Sequence, residues 1–299
     1  MAVDLGSVGR SLGPREVHWS ARDVMLYALG VGAGQADACQ ELEYTTENST
    51  GVALKVLPTF ALTLVQRAAL RPGFGDVDLS DIVHAGQRLS LHQPLDIDGT
   101  VAVSAAIGAV EPKRSGTLVH VDSDLRSPRG SLVAQARSTL FVRRCADGAR
   151  LPGRTAQEVE APGPDAPAVR RILAPTRPDQ ALLYRLAGDV NPLHSDPLVA
   201  ERAGHGRPIL HGLCSLGTAV RRLLSEFRLD AGAVRGVEAR FTGPVWPGET
   251  LAIDAVRADQ ALRFSARAEG GRPVLAAGVL HFDGALRPTG LAAVNLRRC

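Results

Sequence analysis

The sequence predicts an α+β protein made of a duplicated unit, in which one apolar helix is wrapped by an antiparallel sheet. Three observations predict it. In each half, helix-spaced apolar residues come first and short β-type runs separated by turn residues follow. Two stretches recur in the same order at nearly equal spacing: Leu26-Tyr27-Ala28-Leu29 as Leu183-Tyr184-Arg185-Leu186, and residues 83–91 as residues 245–253. Between the copies, residues 148–168 are dense in proline and glycine and read as a linker. The expected organisation is therefore a half at 1–147, the linker at 148–168, and a second half at 169–299.

Residues 1–15 are rich in glycine and serine and are expected to be mobile. Ser20 offers an N-cap with Asp23 at the third helical position, and Val24, Leu26, Tyr27 and Leu29 follow as an apolar face. Gly30-Val31-Gly32-Ala33-Gly34 follows a helix rather than a strand, so it reads as a helix stop and not as a dinucleotide loop. Residues 40–52 look polar and loop-like, and Pro58 suits the first turn of a helix reaching about Leu70. Strand-like runs follow at 88–91, 100–110, 116–124 and 131–142. In the second copy a long helix is expected from about His211 to Phe227, then strands at 234–241, 250–256, 262–268 and 274–282. Aligning the copies through Tyr27 and Tyr184 sets Gly32 opposite Asp189, so only the second copy carries an acid beside a base.

Bulk composition narrows the classes. Of the 299 residues, 45% are hydrophobic and 22% charged, which is ordinary for a globular chain with a core. Lys+Arg (34) are interspersed with Asp+Glu (31), and aromatic residues make up only 4%, so nothing resembles a nucleic-acid interface. The four cysteines lack CxxC spacing and histidine partners at metal-ligand intervals; they read as reduced thiols of a cytoplasmic protein, with no metal expected. No basic-then-apolar leader and no long apolar span is seen, so neither secretion nor a membrane partner is expected.

The chemistry concentrates in Gly188-Asp189-Val190-Asn191-Pro192-Leu193-His194. Asn191-Pro192 turns the chain, so a carboxylate and an imidazole could face one space and act on one water. A solvated helix-ending loop is the competing reading of such a pair. Gly212 falls at the start of the long helix, where an N–H without an intrahelical acceptor could stabilise a carbonyl oxygen gaining charge. Ser215 lies in G-x-x-S-x-G rather than the nucleophile-elbow pattern, with no strand leading into it.

The run from Tyr184 to Pro197, with Pro208-Ile209-Leu210-His211-Gly212 downstream, resembles the hydratase-2 motif of the MaoC-like (R)-specific 2-enoyl-CoA hydratases. Segments around Leu26-Tyr27, Leu57-Pro58, Ala239-Arg240-Phe241 and Pro247-Gly248-Glu249 extend the likeness over most of the chain. The resemblance implies a double hot-dog fold and hydration of trans-2-enoyl-CoA without a cofactor. It implies Asp189 and His194 as the catalytic pair, Asn191 as a water- or substrate-contacting neighbour and Gly212 as the oxyanion donor. It also implies substrate binding by His84, Ala85, Lys113, Phe241 and Glu47. Ala85 stands where the family often has glycine. A homodimer acting on acyl-CoA thioesters is expected. The alternatives are dehydration of a (3R)-hydroxyacyl group on acyl carrier protein, or an acyl-thioester binder that does no chemistry.

Overall fold

A computed structural model describes residues 3–70, 73, 75–77, 81–143 and 169–284; the expected linker at 148–168 lies outside the described residues. Ten antiparallel strands form one sheet. Its first half holds β1 (Ser11–Trp19), β2 (Ile82–Leu91), β3 (Gly99–Lys113), β4 (Gly116–Arg126) and β5 (Leu132–Arg143). Its second half holds β6 (Arg170–Pro175), β7 (Val234–Phe241), β8 (Thr250–Ala258), β9 (Ala261–Arg267) and β10 (Pro273–Phe282). The strand order is β1-β3-β4-β5-β2-β7-β10-β9-β8-β6, so β2 and β7 join two five-stranded halves.

The register across that junction is two-fold symmetric. Arg88 opposes Glu238 at the centre, Gly86 opposes Arg240, and Ser90 opposes Gly236. The symmetry makes β2 the counterpart of β7 and β3 the counterpart of β8. It matches Pro94 with Pro244, and Thr100-Val101-Ala102-Val103 with Thr250-Leu251-Ala252-Ile253. This corrects one of the two sequence repeats: laying 83–91 on 245–253 sets β2 against the start of β8, a strand with a different place in the sheet. The tyrosine repeat agrees with the fold, because α1 (Ala21–Gly30) packs on α4 (Gln180–Arg185) with the Tyr27 and Tyr184 rings 6.0 Å apart.

Helices fill the hollow of the sheet. After α2 (Leu42–Thr45), a 3-10 turn at Pro58–Phe60 leads into α3 (Ala61–Ala68). In the second half α5 (Pro197–Arg202) precedes α6 (Gly212–Phe227). Leu213, Leu216, Val220, Leu223 and Leu224 of α6 are buried, as their spacing requires. Ser20 caps α1: its N–H donates to Asp23 Oδ2 at 2.9 Å, as the capping-box spacing predicts. Two strands and a helical turn differ from expectation. Residues 11–19 form edge strand β1 instead of a loose leader, and only Val17 and Trp19 in it are buried. With one face in solvent and a proline at a break in register, it shows no alternation to read. Edge strand β6 buries only Ile172 and Ala174, and the exposed Leu173 between them hides the alternation in the sequence, while α2 is one turn inside the expected loop at 40–52.

The two halves are also tied by charge. Arg221 of α6, 4% exposed, donates from Nη1 to Glu41 at 2.6 Å and from Nε to the Val31 carbonyl at 3.0 Å. Removing one member of a buried pair strands the other, which typically costs about 3–5 kcal/mol. Glu41→Ala is therefore expected to lower unfolding free energy by roughly that amount, and Glu41→Leu combined with Arg221→Met by much less. Urea titration of the three variants measures it. Among the described residues Cys214 is a free, buried thiol whose pKa burial pushes up.

Candidate active site

The site forms where α4 ends, α6 begins and β2 meets β7. Gly188 sits at φ +144°, where a side chain would be strained and a Cβ would lie 2.6 Å from Arg67 Cγ, so the chain can turn here against α3. Asp189 follows. Asn191 caps the 3-10 turn Pro192–His194, its Oδ1 accepting from the Leu193 N–H at 3.0 Å. The Asn191 N–H donates to Asp189 Oδ1 at 3.2 Å. The Asn-Pro turn thus presents acid and base on one side.

His194 and His211 are held in defined proton states. A carbonyl can only accept, so the 2.8 Å contact of His194 Nδ1 with the Ile209 oxygen puts the proton on Nδ1 and leaves the Nε2 lone pair available. His211 Nε2 meets the Asp189 carbonyl at 3.1 Å, which places its proton on Nε2. The two rings stack with centroids 3.7 Å apart. Burial lowers the pKa of His194, with the Ile209 hydrogen bond and the Asp189 charge pulling the other way. Burial lowers that of His211 too, helped by the neighbouring His194. Both rings are therefore neutral bases at neutral pH. A carboxylate oxygen of Asp189 and one nitrogen each of His194 and His211 lie within 4.8 Å of one another. They could share one small species, a water or a cation.

The other wall is apolar. Gly212 opens α6, and as a first-turn residue its N–H has no intrahelical acceptor. The Phe241 ring lies over it, 3.2 Å from where a Cβ would stand. His84 packs edge-on against Phe241 with centroids 4.8 Å apart. The β2–β5 register slips between His84 and Gly86, so Ala85 is the extra residue of a bulge beside the site. Gln66 of α3 completes the set: its Nε2 donates to Asp189 Oδ2 at 2.7 Å. Buried polar atoms without a partner among the described residues gather here, including Gln66 Oε1, His84 Nε2, Tyr184 Oη, Arg185 Nε and His211 Nδ1. Native interiors leave few such atoms, and their grouping makes this pocket the candidate site.

Burial lowers the His84 pKa from 6.5 to about 4, against the raising influence of Asp189 and of hydrogen bonds to Gly86 and Gln87. The unfolded chain therefore takes up this proton first as pH falls. Stability is full above pH 6.5 and declines through the window from 6.5 to about 4, by at most roughly 3 kcal/mol from this residue. His194 and His211 act in the same direction. His84→Gln is expected to flatten that slope when urea unfolding is compared at neutral and acid pH.

The structure brings together Asp189, Asn191, His194, Gly212, Phe241, His84 and Ala85, and leaves two expected residues elsewhere. Lys113 ends β3, exposed, ion-paired with Glu111 at 2.7 Å and separated from β2 by β4 and β5. Glu47 is exposed in the bend after α2, and the glutamate of that region that turns inward is Glu41. His211 and Gln66 had no role assigned from sequence. His211 stands beside Gly212 in the Pro208-to-Gly212 run and could have been proposed from it; Gln66, far along the chain from Asp189, offered no signal. Ser215 is buried within α6 and its hydroxyl returns to the His211 carbonyl at 3.4 Å, so it is not presented as a nucleophile.

A cleft of about 580 Å³ lies elsewhere, lined by Lys55, Pro58, Leu91, Pro94, Asp230 and Val234 among others. The sheet symmetry matches Leu91 with Phe241 and Val234 with His84, so this cleft is the counterpart of the site in the first half. It holds a Lys55–Asp230 ion pair (2.9 Å) and no acid beside a histidine.

Comparison with known proteins gives the family and the fold. Residues 160–275 match the MaoC like domain, and residues 18–144 match the MFE-2 hydratase 2 N-terminal domain. The chain is 40% identical to the 3-hydroxyacyl-thioester dehydratase Y of Mycobacterium tuberculosis, over 95% of this chain and 94% of that one. It is 34% identical to the enoyl-CoA hydratase ChsH3 of the same organism, over 85% and 89% of the two chains. A solved M. tuberculosis structure described as a double hot-dog fold superposes with a TM-score of 0.63 at 17% identity, covering 92% of this chain and 96% of that one, and establishes the same fold.

Proposed function

Because the chain belongs to the MaoC-like dehydratase and hydratase 2 family, we propose that it is a hydro-lyase catalysing reversible syn addition of water to a trans-2-enoyl-CoA, giving the (3R)-3-hydroxyacyl-CoA. The observation that carries this reading is the convergence, within 4.8 Å, of an Asp189 carboxylate oxygen with a ring nitrogen of His194, whose Nδ1 is anchored on the Ile209 carbonyl three residues before the start of α6. In the proposed step, Asp189 and His194 hold one water. Its oxygen bonds to C3, one of its protons passes to the pair, and the pair delivers a proton to C2. The C2–C3 π bond is consumed, and the thioester oxygen gains charge meanwhile. The Gly212 N–H at the positive end of α6 stabilises that oxygen. Phe241 and His84 enclose the acyl group near the reacting carbons, and Asn191 builds the turn that aims the pair. Lys113 and Glu47 belong to the proposal only as outer contacts of a long CoA ligand.

The relative named for 3-hydroxyacyl-thioester dehydration favours the reverse direction by the same groups, and the second reading is that direction on a carrier-protein thioester. Enoyl thioesters of graded chain length, presented on CoA and on acyl carrier protein, test both. Loss of enoyl absorbance is expected with CoA substrates. Activity on carrier-protein substrates alone would select the second reading, and no hydration of either would overturn both. The proposal also carries a binding first half and a reacting second half, in a cytoplasmic homodimer. Fractionation and gel filtration check location and assembly.

A further inference from the structure

We infer that Gln66 is a positioning residue for Asp189, supplied to the reacting half by the half that has no acid–base pair; this rests on the proposed role of Asp189. The contact is short and directional, with Nε2 at 2.7 Å from Asp189 Oδ2. A carboxylate accepts and does not donate, so the amide nitrogen must face it and Oε1 must face away. That Oε1 is buried without a partner among the described residues. The amide is thus held by Asp189 and by its helix, with no other hydrogen bond fixing it. The second carboxylate oxygen takes the Asn191 N–H at 3.2 Å. With each oxygen tied by one donor, rotation of the carboxylate is stopped, and lone pairs remain for a water.

The delivery of Gln66 is built into the fold. Arg67, the next residue, lays its stem on Gly188, donates to the His18 carbonyl at 2.7 Å and pairs with Asp23 at 3.3 Å. These contacts pin the end of α3 against the turn that carries Asp189. The reciprocal contact exists in the other direction. Thr218 and Arg221 of α6 reach the Val31 carbonyl, next to Gly32, which takes the place of Asp189 in the first half. Where no carboxylate needs to react, the reaching side chain is a cation locked to Glu41. Where Asp189 stands, it is a neutral amide. A cation at that distance would make Asp189 its counter-ion and weaken it as a base, whereas an amide orients it at smaller cost.

The test uses the full chain with Gln66→Met, which keeps the volume and removes the donor, and Gln66→Ala. Both are expected to lower kcat by about 10–10²-fold, the scale of a misplaced catalytic group, with little change in KM and in thermal midpoint. On an Asp189→Asn background, Gln66→Met is expected to cost nothing further. Near-normal kcat in both Gln66 variants beside an inactive Asp189→Asn would overturn the inference and leave the proposed function standing. An equal loss in both backgrounds would mean a purely structural role and overturn it as well. If Asp189→Asn itself turns over normally, the proposed function fails and takes the inference with it.

Discussion

Asp189→Asn is expected to leave a folded protein whose hydration of crotonyl-CoA is reduced by at least about 10², and His194→Gln to do the same. Each substitution keeps shape and removes proton-transfer capacity. Asparagine can still accept from the Asn191 N–H through its one oxygen, and its amide nitrogen can donate to Gln66 once that amide turns its unpartnered Oε1 inward, so the turn and the α3 contact persist. Glutamine at 194 can still donate towards the Ile209 carbonyl but offers no basic nitrogen. If both groups act on one water, as proposed, the double variant is expected to lose little more than the worse single variant. Full additivity of the two losses would argue for separate roles, and near-normal turnover in both variants would sink the acid–base assignment. The companion ring separates position from chemistry: His211→Asn should cost less than His194→Gln, since His211 commits its donor to the Asp189 backbone and serves chiefly as a stacking partner.

The sequence announced this site unevenly, and the reasons are physical. Asp189, Asn191 and His194 come together because a local turn sets their geometry within a few residues; the residues alone leave a solvated loop open, and their roles come from the family resemblance. Gly212 was readable because a helix start exposes its N–H whatever lies around it. The strands of the sheet interior were readable where one face is buried and the apolar residues alternate. The edges β1 and β6 were not, since β1 is exposed over most of its length and in β6 an apolar but exposed Leu173 masks the alternation of buried Ile172 and Ala174. The repeat told the architecture yet misplaced one strand. A motif match between 83–91 and 245–253 outweighed Pro94 and Pro244, whose equivalence appears only once β2 and β7 are seen to pair. His84 reaches the site through that same pairing, against Phe241 from the other half. Gln66 depends on two halves meeting, which no local rule encodes.

Gly212→Pro offers the sharpest test of the oxyanion donor. Gly212 is the first residue of α6, where proline is favoured and its missing N–H breaks no helical bond. The residue before it, His211, already has φ −59° and ψ 135°, the extended region that proline imposes on its predecessor. The helix should therefore form as before while the one donor disappears. Proline also adds a Cβ, which meets the Phe241 ring at 3.2 Å and obliges it to give by a few tenths of an ångström. Gly212→Ala is the matched control, because it adds the same Cβ and keeps the N–H. Turnover of Gly212→Pro is expected to fall below that of Gly212→Ala by about 10²–10³, the usual cost of one oxyanion donor. The loss should appear in kcat with KM little moved, since the charge it answers develops during the reaction. Equal activity of the two variants would mean that steric fit against Phe241, and not the N–H, is what glycine provides here.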